Sequence, residues 1–474
     1  MDGFAQLDAL AQAALVQKGE VQPRELVEAA IARIERLNPE LNAVISTRFE
    51  QVLAEAESAP RTGPFAGVPT LLKEIGPALK GARRSLGSRY LAKAVPNYDS
   101  LMVTRMKEAG LLFLGTTNLP EFGILPTTES QAYGPAKNPW NPAHTPGGSS
   151  GGAAAAVASG MVPIAHANDG GGSIRIPAAN CGLVGLKPSR GRVSNAPEVD
   201  GFGLGVDLCL SRSVRDTAAM LDVIGQPGPG DPYVAPAPER PFLQELGRPT
   251  GRLRIGFSTT SMTGTPVHAD CKQAVRETAS LLTDLGHEVE EASPRLNGPN
   301  FQQAFLTLWM ASATFQVAFL TEVLGRAPEK HELEPLTWAM AEAGQVSAGA
   351  DIIRAQMTLQ VKARRLAAYF GQFDLWLTPV LAEPPLPLGA MAQNREDPLA
   401  PLMRAAEVCV FTPIANATGH PAITVPLHWN EAGLPVGVQF MGRPFAEATL
   451  LRLAAQLEEA RPWAANWPGV AALA

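Results

Sequence analysis

The spacing of apolar residues along the chain predicts helices that alternate with short apolar strands. Residues 7–16 and 23–37 carry apolar side chains at helical spacing, and Asn38-Pro39 is expected to end the second helix. Residues 43–47 then predict a short strand, and residues 48–58 predict another helix. Such alternation is typical of an α/β fold, in which helices pack on a sheet.

A lysine closes the next apolar run. Residues 67–73 predict a strand that ends in Lys73. Burying an ammonium group is costly unless it is paired or neutral, so this segment alone predicts a surface lysine at a strand end. A helix over 101–108, capped by Asp99 or Ser100, and a strand over 111–115 follow.

Two serines then lie in glycine-rich surroundings. Ser149 lies within the sequence GGSSGG at 147–152, and Ser173 follows three consecutive glycines. A helix over 153–159 and a strand over 162–167 separate them. Because glycine loses much backbone entropy on folding, such clusters need a reason. A functional reason is close approach of the backbone to a ligand, and the alternative is a pair of flexible turns.

The second half of the chain continues the α/β pattern. Residues 253–257, 269–285 and 287–291 predict a strand, helix and strand on the same sheet. The remaining predicted elements are helices over 301–324, 345–370 and 446–460 and strands over 375–377, 422–425 and 436–441. No internal repeat or clear break interrupts them, so we expect a single domain over residues 1–474, with a helical insertion around 300–370.

Composition narrows the class of protein. The 474 residues are 46% hydrophobic and 18% charged, and the net charge of −6 gives no basic surface for nucleic acid. The four cysteines are widely spaced and form no C-x-x-C pair, which favours reduced cysteines in a cytoplasmic protein. The N-terminal segment lacks the basic region of a signal peptide, and we expect no membrane-spanning run.

The sequence lacks the motifs of several classes of catalytic or cofactor-binding site. The histidines form neither H-x-H nor H-E-x-x-H, no P-loop motif occurs, and the glycines at 201, 203 and 205 are only a fragment of a dinucleotide fingerprint. We therefore expect no metal and no cofactor. Residues 147–151 match the G-x-S-x-G elbow of α/β-hydrolases, with His420 or His428 as partner. That elbow requires a preceding strand, which the proline-rich residues 138–146 cannot form.

The second glycine cluster favours acyl transfer. The N–H groups of Gly170, Gly171 and Gly172 can form a nest that binds a negative oxygen. Ser173 follows directly and could attack a carbonyl carbon whose oxygen enters this nest. The serine needs a base, and Lys73 is available if burial lowers its pKa.

Six motifs in this chain resemble those of the amidase signature family of serine hydrolases, and the resemblance covers roughly residues 16–462. They are Gly67-Val68-Pro69 leading to Lys73, Gly115-Thr116-Thr117-Asn118-x-x-Glu121-Phe122, Asn138-Pro139-Trp140-Asn141-Pro142, Pro146-Gly147-Gly148-Ser149-Ser150-Gly151-Gly152, Gly170-Gly171-Gly172-Ser173-Ile174-Arg175-x-Pro177 and Cys181-Gly182-x-x-Gly185-Leu186-Lys187-Pro188.

The resemblance implies a fold and a set of site residues. The fold would be a large mixed central β-sheet covered by helices on both faces. Ser173 would be the nucleophile, Lys73 the base, and Ser149, preceded by a cis peptide bond, the bridging serine. The oxyanion hole would comprise the N–H groups of Gly170, Gly171, Gly172 and Ser173, and the supporting residues would be Ser150, Asp169 and Arg175.

The resemblance also implies amide hydrolysis through an acyl-enzyme, with a small-molecule amide as partner. Ile176 stands where the A subunit of aminoacyl-tRNA amidotransferases usually has glutamine, and Asn168 also departs from the common pattern. Both departures resemble stand-alone amidases of the 6-aminohexanoate cyclic dimer hydrolase type and fit an apolar acyl group. Leu125, Trp309, Met310 and Phe315 could line an apolar cleft, although core packing is the commoner role of such residues.

Three alternatives stay open at this stage. The chain could be an amidotransferase glutaminase, or a non-catalytic binding protein, although the intact Lys73, Ser149 and Ser173 argue against the latter. A Glu–Lys–Cys amidase with Cys181 as nucleophile is the third, against which a buried structural cysteine is the simpler interpretation. We expect the protein to form a homodimer and to have no nucleic-acid or membrane partner.

Overall fold

The computed structural model describes residues 3–345 and 348–470 of the chain. The helices are α1 (Ala9–Gln17), α2 (Pro23–Leu41), α3 (Phe49–Glu57), α4 (Leu101–Glu108), α5 (Gly151–Ala158), α6 (Arg175–Cys181), α7 (Val214–Ile224), α8 (Ala269–Asp284), α9 (Gly298–Leu324), α10 (Pro335–Gln345), α11 (Gly349–Tyr369), α12 (Ala400–Val408), α13 (Pro413–Thr418) and α14 (Glu447–Ala460). The strands are β1 (Val44–Thr47), β2 (Pro69–Lys73), β3 (Leu112–Thr117), β4 (Glu129–Ser130), β5 (Gly134–Pro135), β6 (Ile164–Asp169), β7 (Val184–Lys187), β8 (Val206–Ser211), β9 (Arg254–Phe257), β10 (Glu288–Glu291), β11 (Leu375–Pro379), β12 (Ala422–Val425) and β13 (Val438–Gly442).

One 11-stranded mixed sheet runs through the molecule, in the order β1-β3-β2-β6-β8-β7-β12-β13-β11-β9-β10. The neighbouring strands β3, β2 and β6 are parallel. From β6 through β8, β7 and β12 to β13, each strand is antiparallel to the next in the sheet, and β11, β9 and β10 are parallel again. Helices flank the sheet, and the largest apolar cluster packs on its strands. The predicted mixed α/β fold is confirmed, as is the β9–α8–β10 unit on the same sheet.

The neighbouring strands β2 and β6 set the position of the site. They pair in parallel, with Thr70 opposite Ile164 and Leu71 opposite Ala165. Helix α5 precedes β6 and packs against both strands. Since parallel strands end at the same edge of a sheet, Lys73 at the end of β2 and Asp169 at the end of β6 lie at one edge, where ligands bind in open α/β sheets.

The first glycine cluster allows close packing within the protein. A Cβ atom on Gly151 would lie 2.3 Å from the Thr128 Oγ1 atom, and one on Gly152 would lie 2.4 Å from the backbone nitrogen of Asn118. Every residue of α5 is buried. These glycines therefore let α5 approach other chain segments, so neither ligand approach nor a flexible turn explains them.

Helices α9, α10 and α11 form the helical segment after β10, and α10 and α11 each pack against α9. By length and composition alone, α9 is able to cross a membrane, so the expectation that no such run exists is wrong for this helix. Core helices of globular proteins pass the same test. The first half of α9 buries Phe301, Phe305 and Leu308, whereas Phe315 in its second half is 63% exposed.

Some predicted bounds and elements are wrong. Helix α2 continues through Pro39 to Leu41, because the Asn38 side chain bonds to Ala43 and Val44 beyond the helix end and does not terminate it. Strands β7 and β8 and helices α6 and α7 were not predicted. The predicted helix over 345–370 corresponds to α11, and its positions 346 and 347 lie outside the described residues.

Candidate active site

Lys73 is fully buried, which contradicts the expectation of a surface lysine from its segment alone. Its Nζ atom lies 2.7 Å from Ser149 Oγ, 2.8 Å from Ser150 Oγ and 2.6 Å from Asn168 Oδ1. The structure thus brings the predicted base next to the predicted bridging serine and its neighbour. Asn168 was not predicted as a site residue.

The environment of Lys73 favours its neutral form. Burial lowers the pKa of Lys73 to about 7, while the carboxylates of Asp207 and Asp169 act in the opposite direction. The backbone N–H of Lys73 donates to His166 Nδ1 at 3.4 Å, and the Nε2 atom of the same ring lies 3.0 Å from Asp207 Oδ1. A substantial fraction of Lys73 is therefore a free amine near neutral pH.

Ser149 and Ser150 lie at the start of α5, next to the end of β6. The peptide bond between Gly148 and Ser149 is cis, as the resemblance implied. A Cβ atom on Gly123 would lie 3.1 Å from Ser149 Oγ, so the loop around Gly123 closes over this hydroxyl. The Ser150 hydroxyl donates to the backbone oxygen of Asn168 at 3.2 Å, in addition to its contact with Lys73.

Ser173 lies in the loop between β6 and α6 and is 8% exposed. Within the part of the chain that the structure describes, the N–H groups of Gly170, Gly171 and Ser173 have no hydrogen-bond partner, whereas the N–H of Gly172 donates to Asp169 Oδ1 at 2.7 Å. One of the four predicted oxyanion donors is therefore already engaged. The hydrogen bonds of the described residues include none between Ser149 and Ser173.

Asp169 and Arg175 hold this loop. Arg175 donates to both carboxylate oxygens of Asp169, and the N–H groups of Gly172 and Ile174 donate to the same carboxylate. Asn416 bonds to both side chains. Burial alone would raise the pKa of Asp169, but the charge and hydrogen bonds of Arg175 outweigh it and lower the pKa to about 2. The carboxylate therefore stays ionised and orders the backbone beside Ser173.

An open, mostly apolar cavity adjoins Ser173. Phe301, Phe305 and Trp309 follow one another on one face of α9, and neighbouring rings are stacked with centroids 6.3 and 5.6 Å apart. Cβ atoms on Gly170 and Gly171 would touch Trp309 and Phe305 at 3.3 and 3.4 Å. The aromatic side chains thus pack directly on the glycine loop and line the space in front of Ser173.

Only some of the residues that could line an apolar cleft, as judged from the sequence, line this cavity. Leu125 and Trp309 line it. Met310 does not line it and packs against an apolar cluster that includes Leu125, and Phe315 is exposed and does not line it either. Ile176, the residue that replaces glutamine, also lines the cavity.

Other sequence hypotheses find less support. Cys181 is buried, and burial raises the pKa of its thiol well above its usual range, which agrees with a structural cysteine. The last strand before Ser149 is β5, which ends at Pro135, so no strand leads directly into this serine as the hydrolase elbow requires, and His428 instead contacts Glu277. Within residues 3–345 and 348–470, no group of three or more histidine, cysteine or acidic side chains could hold a metal ion.

Comparisons with known proteins match this chain over nearly its full length. The Amidase family model matches residues 25–451. The 6-aminohexanoate-cyclic-dimer hydrolase of Pseudomonas sp. (strain NK87) is 37% identical over 477 residues, covering 97% of this chain and 96% of that protein.

Two solved structures have a similar fold. A 6-aminohexanoate cyclic dimer hydrolase complexed with substrate superposes with a TM-score of 0.94 at 36% identity, covering 99% of this chain and all of the other. A bacterial aryl acylamidase of the amidase signature family superposes with a TM-score of 0.88 at 29% identity, covering 97% of both chains.

Proposed function

The chain belongs to the amidase signature family and is an amide hydrolase, and we propose that it acts through a Ser173–Ser149–Lys73 triad and a covalent acyl-enzyme. The observation that carries the proposal is the 2.7 Å contact between Lys73 Nζ and Ser149 Oγ, buried beside a cavity that Ser173 lines. A buried lysine with a lowered pKa is suited to act as a base.

Acylation transfers one proton over two hydroxyls. Neutral Lys73 takes the proton of Ser149 while Ser149 takes the proton of Ser173. The Ser173 Oγ atom then bonds to the amide carbon, and the carbonyl oxygen becomes an oxyanion. Because no hydrogen bond joins the two serines among the described residues, this step requires their hydroxyls to meet when substrate is bound.

The glycine loop stabilises the negative oxygen in this scheme. The N–H groups of Gly170, Gly171 and Ser173 are without partners among the described residues and so are available as donors. The N–H of Gly172 instead holds Asp169 and keeps the loop in shape. Backbone donors held in place in this way cost no reorganisation when charge develops.

The acyl-enzyme forms and is hydrolysed in the second half of the reaction. The carbon–nitrogen bond breaks, and the proton held by Lys73 returns through Ser149 to the leaving amine. A water molecule then gives its proton to the same relay and attacks the ester carbon. The bond to Ser173 breaks, and Ser173 recovers its proton as the carboxylic acid leaves.

A glutaminase subunit of an amidotransferase is the second candidate within the family. Ile176 lines the cavity where that subgroup usually carries glutamine, so the site favours an apolar acyl group over glutamine. A glutaminase activity that rises on addition of a partner subunit would support the second candidate. A non-catalytic binding role would instead give no turnover of any amide.

The decisive experiment is a panel of amides, esters and lactams with the wild-type protein and the Ser173→Ala variant. We expect turnover by the wild type and a loss of at least about a thousandfold in kcat for the variant, as for other serine nucleophiles. Thr307→Ala, which removes an exposed hydroxyl bonded only to Gln303 within α9, is the matched control. Retention of full activity by Ser173→Ala would contradict the assignment.

The single domain, the assembly and the location remain predictions. We propose one domain that assembles as a homodimer in the cytoplasm. All four cysteines are free in the structure, which suits a reducing compartment. Sedimentation equilibrium would test the dimer, which requires twice the chain mass of 50.1 kDa, and fractionation of cells would test the location.

A further inference from the structure

The cavity in front of Ser173 lacks charge. Its lining consists of aliphatic and aromatic side chains, small residues and a few neutral polar groups. None of its described lining residues has a charged side chain. Gln302 is one of the neutral polar residues, and its Nε2 atom donates to the backbone oxygen of Ala406 at 2.8 Å. Asp169, which accepts a hydrogen bond from the loop at Gly172, pairs with Arg175, and both side chains are fully buried.

We infer that the group held in this cavity must be uncharged, so the substrate class is neutral amides with an apolar acyl chain. An ammonium or carboxylate entering the cavity would lose its hydration and meet no opposite charge. The inference rests on the proposed function, because it places the acyl chain next to Ser173. It also disfavours glutamine, which carries both charges.

Three amides of equal chain length test this inference. Hexanamide, 6-aminohexanamide and adipamic acid differ only at the far end of the chain, which is a methyl group, an ammonium or a carboxylate. As primary amides they leave only the acyl chain to fill the cavity. At pH 7.5 we expect kcat/KM, measured as ammonia release, to be at least tenfold higher for hexanamide than for either charged amide.

A substitution in the cavity provides a second test of the substrate class. Gln302→Glu adds a negative charge at nearly constant size, and we expect it to raise the ratio of kcat/KM for 6-aminohexanamide over hexanamide at least tenfold. Gln302→Met is the neutral control and should leave that ratio unchanged. A ratio that does not move in Gln302→Glu would overturn the inference.

Different results would contradict the substrate class and the proposed function. If the wild type cleaves all three amides within twofold of one another, the substrate class is wrong and the proposed function stands. If Ser173→Ala cleaves hexanamide as fast as the wild type, the proposed function itself fails.

A second inference concerns the direction in which Lys73 accepts a proton. A neutral lysine amine has two N–H groups and one lone pair, and Nζ has three oxygen neighbours. The Oδ1 atom of Asn168 can only accept. The Ser150 hydroxyl gives its hydrogen to the backbone oxygen of Asn168, so toward Nζ it also accepts.

The geometry points to Asn168 as a positioning residue that, with Ser150, directs the lone pair of Lys73 toward Ser149. Both N–H groups are used by Asn168 and Ser150, so the remaining lone pair faces the hydroxyl that must lose its proton. This inference also rests on the proposed triad. It assigns a role to Asn168, which differs from the threonine of the common family pattern.

The groups that could otherwise set the charge of Lys73 come from β6 and β8. Asp207 and Asp169 favour its ammonium form, and His166 contacts only its backbone N–H. None of these three supplies an acceptor to Nζ among the described hydrogen bonds. Substitution of Asn168 therefore tests how the amine of Lys73 is oriented, separately from the groups that set its charge.

Three variants at this position test the role. Asn168→Asp keeps the oxygen and adds a charge that favours the ammonium, so the acid limb of the kcat/KM profile should move up by at least one pH unit. Asn168→Ala removes the acceptor and should lower kcat at least tenfold with KM within about twofold. Asn168→Ser restores an acceptor and should recover part of that loss.

Ser159→Ala is the matched control, because it removes a buried hydroxyl bonded within α5 and away from Lys73. It should leave the acid limb unchanged. An acid limb that stays in place in Asn168→Asp, or a kcat for Asn168→Ala within twofold of the wild type, would overturn the positioning role. Full activity of Ser173→Ala would instead overturn the triad beneath it.

Discussion

The guanidinium group of Arg175 bonds to both carboxylate oxygens of Asp169, with its Nε atom 2.9 Å from Oδ2 and its Nη2 atom 3.0 Å from Oδ1. Both side chains are fully buried. The pair shares its hydrogen bonds with the loop that carries Ser173, so its integrity affects both folding and chemistry.

Arg175→Met should destabilise the fold by about 3–5 kcal/mol, because it leaves the carboxylate of Asp169 buried without its partner. Denaturant unfolding monitored by circular dichroism measures the change. Arg24→Met, at an exposed pair with Glu28, should change stability by less than about 1 kcal/mol. A loss for Arg175→Met no larger than that of Arg24→Met would contradict the structural role.

Activity should rise with pH through the pKa of Lys73. Burial lowers that pKa to about 7, and only the neutral amine can accept a proton from Ser149. We therefore expect an acid limb of kcat/KM near pH 7 and a plateau above it. Lys73→Arg should be inactive across the range, since arginine stays protonated. Activity that is constant from pH 5 to 9 would argue against Lys73 as the base.

The same lysine should make the fold more stable at high pH. Its folded pKa of about 7 lies below the ordinary lysine value of 10.5, so between these values the unfolded chain binds the extra proton and stability rises with pH. Below pH 7 the destabilisation is complete, and above about 10.5 it vanishes. Relative to wild type, Lys73→Met should gain on the order of a few kcal/mol more at pH 6 than at pH 10.

Unfolding of both proteins at several pH values measures this difference. Loss of the hydrogen bonds that Lys73→Met removes changes the free energy of unfolding by a similar amount at each pH. The dependence of the difference on pH therefore reports the titration of Lys73. A difference that is constant with pH would show that the lysine has its ordinary pKa in the fold.

Substitutions at two glycines of the same loop, Gly172 and Gly170, should have unequal effects. The backbone φ of Gly172 is +136°, and a Cβ atom there would lie 2.5 Å from Thr412 Oγ1. Gly172→Ala should therefore cost about 1–3 kcal/mol in backbone strain in addition to the clash, and should lower kcat/KM at least a hundredfold. At Gly170 the nearest contact is 3.3 Å to Trp309, so Gly170→Ala should be milder. Thermal melts and kinetics of both variants decide the comparison.

Local patterns predicted the elements with regular periodicity. The helices α8 and α14 and the strands β9 and β12 fall where apolar spacing indicated, because each buries one face or is wholly apolar. Helix α6 was missed because it is short and carries Pro177 in its first turn. Strand β8 was missed because the polar Asp207 and Ser211 interrupt its apolar pattern.

The site was predicted only where motifs marked it. Lys73, Ser149 and Ser173 came from motifs, but nothing local showed that Lys73 is buried, since its partners lie 76 or more residues away in the chain. Asn168 left one usable signal. It alternates with His166 along an apolar strand, which puts two polar side chains on one face of β6.

The aromatic side chains of α9 and the reacting residues come from distant parts of the sequence. The residues of the proposed triad stand on β2 and on the loops at either end of the α5–β6 segment, whereas Phe301, Phe305 and Trp309 belong to a helix more than a hundred residues later. Changes in α9 can therefore alter which amides are cleaved without replacing a residue of the proposed triad, and changes at Phe305 and Trp309 also affect the glycine loop on which these rings pack. Two proteins of this architecture can differ in substrate specificity while catalysing the same reaction. A library of variants confined to α9 is the natural starting point for redirecting this enzyme to a new amide.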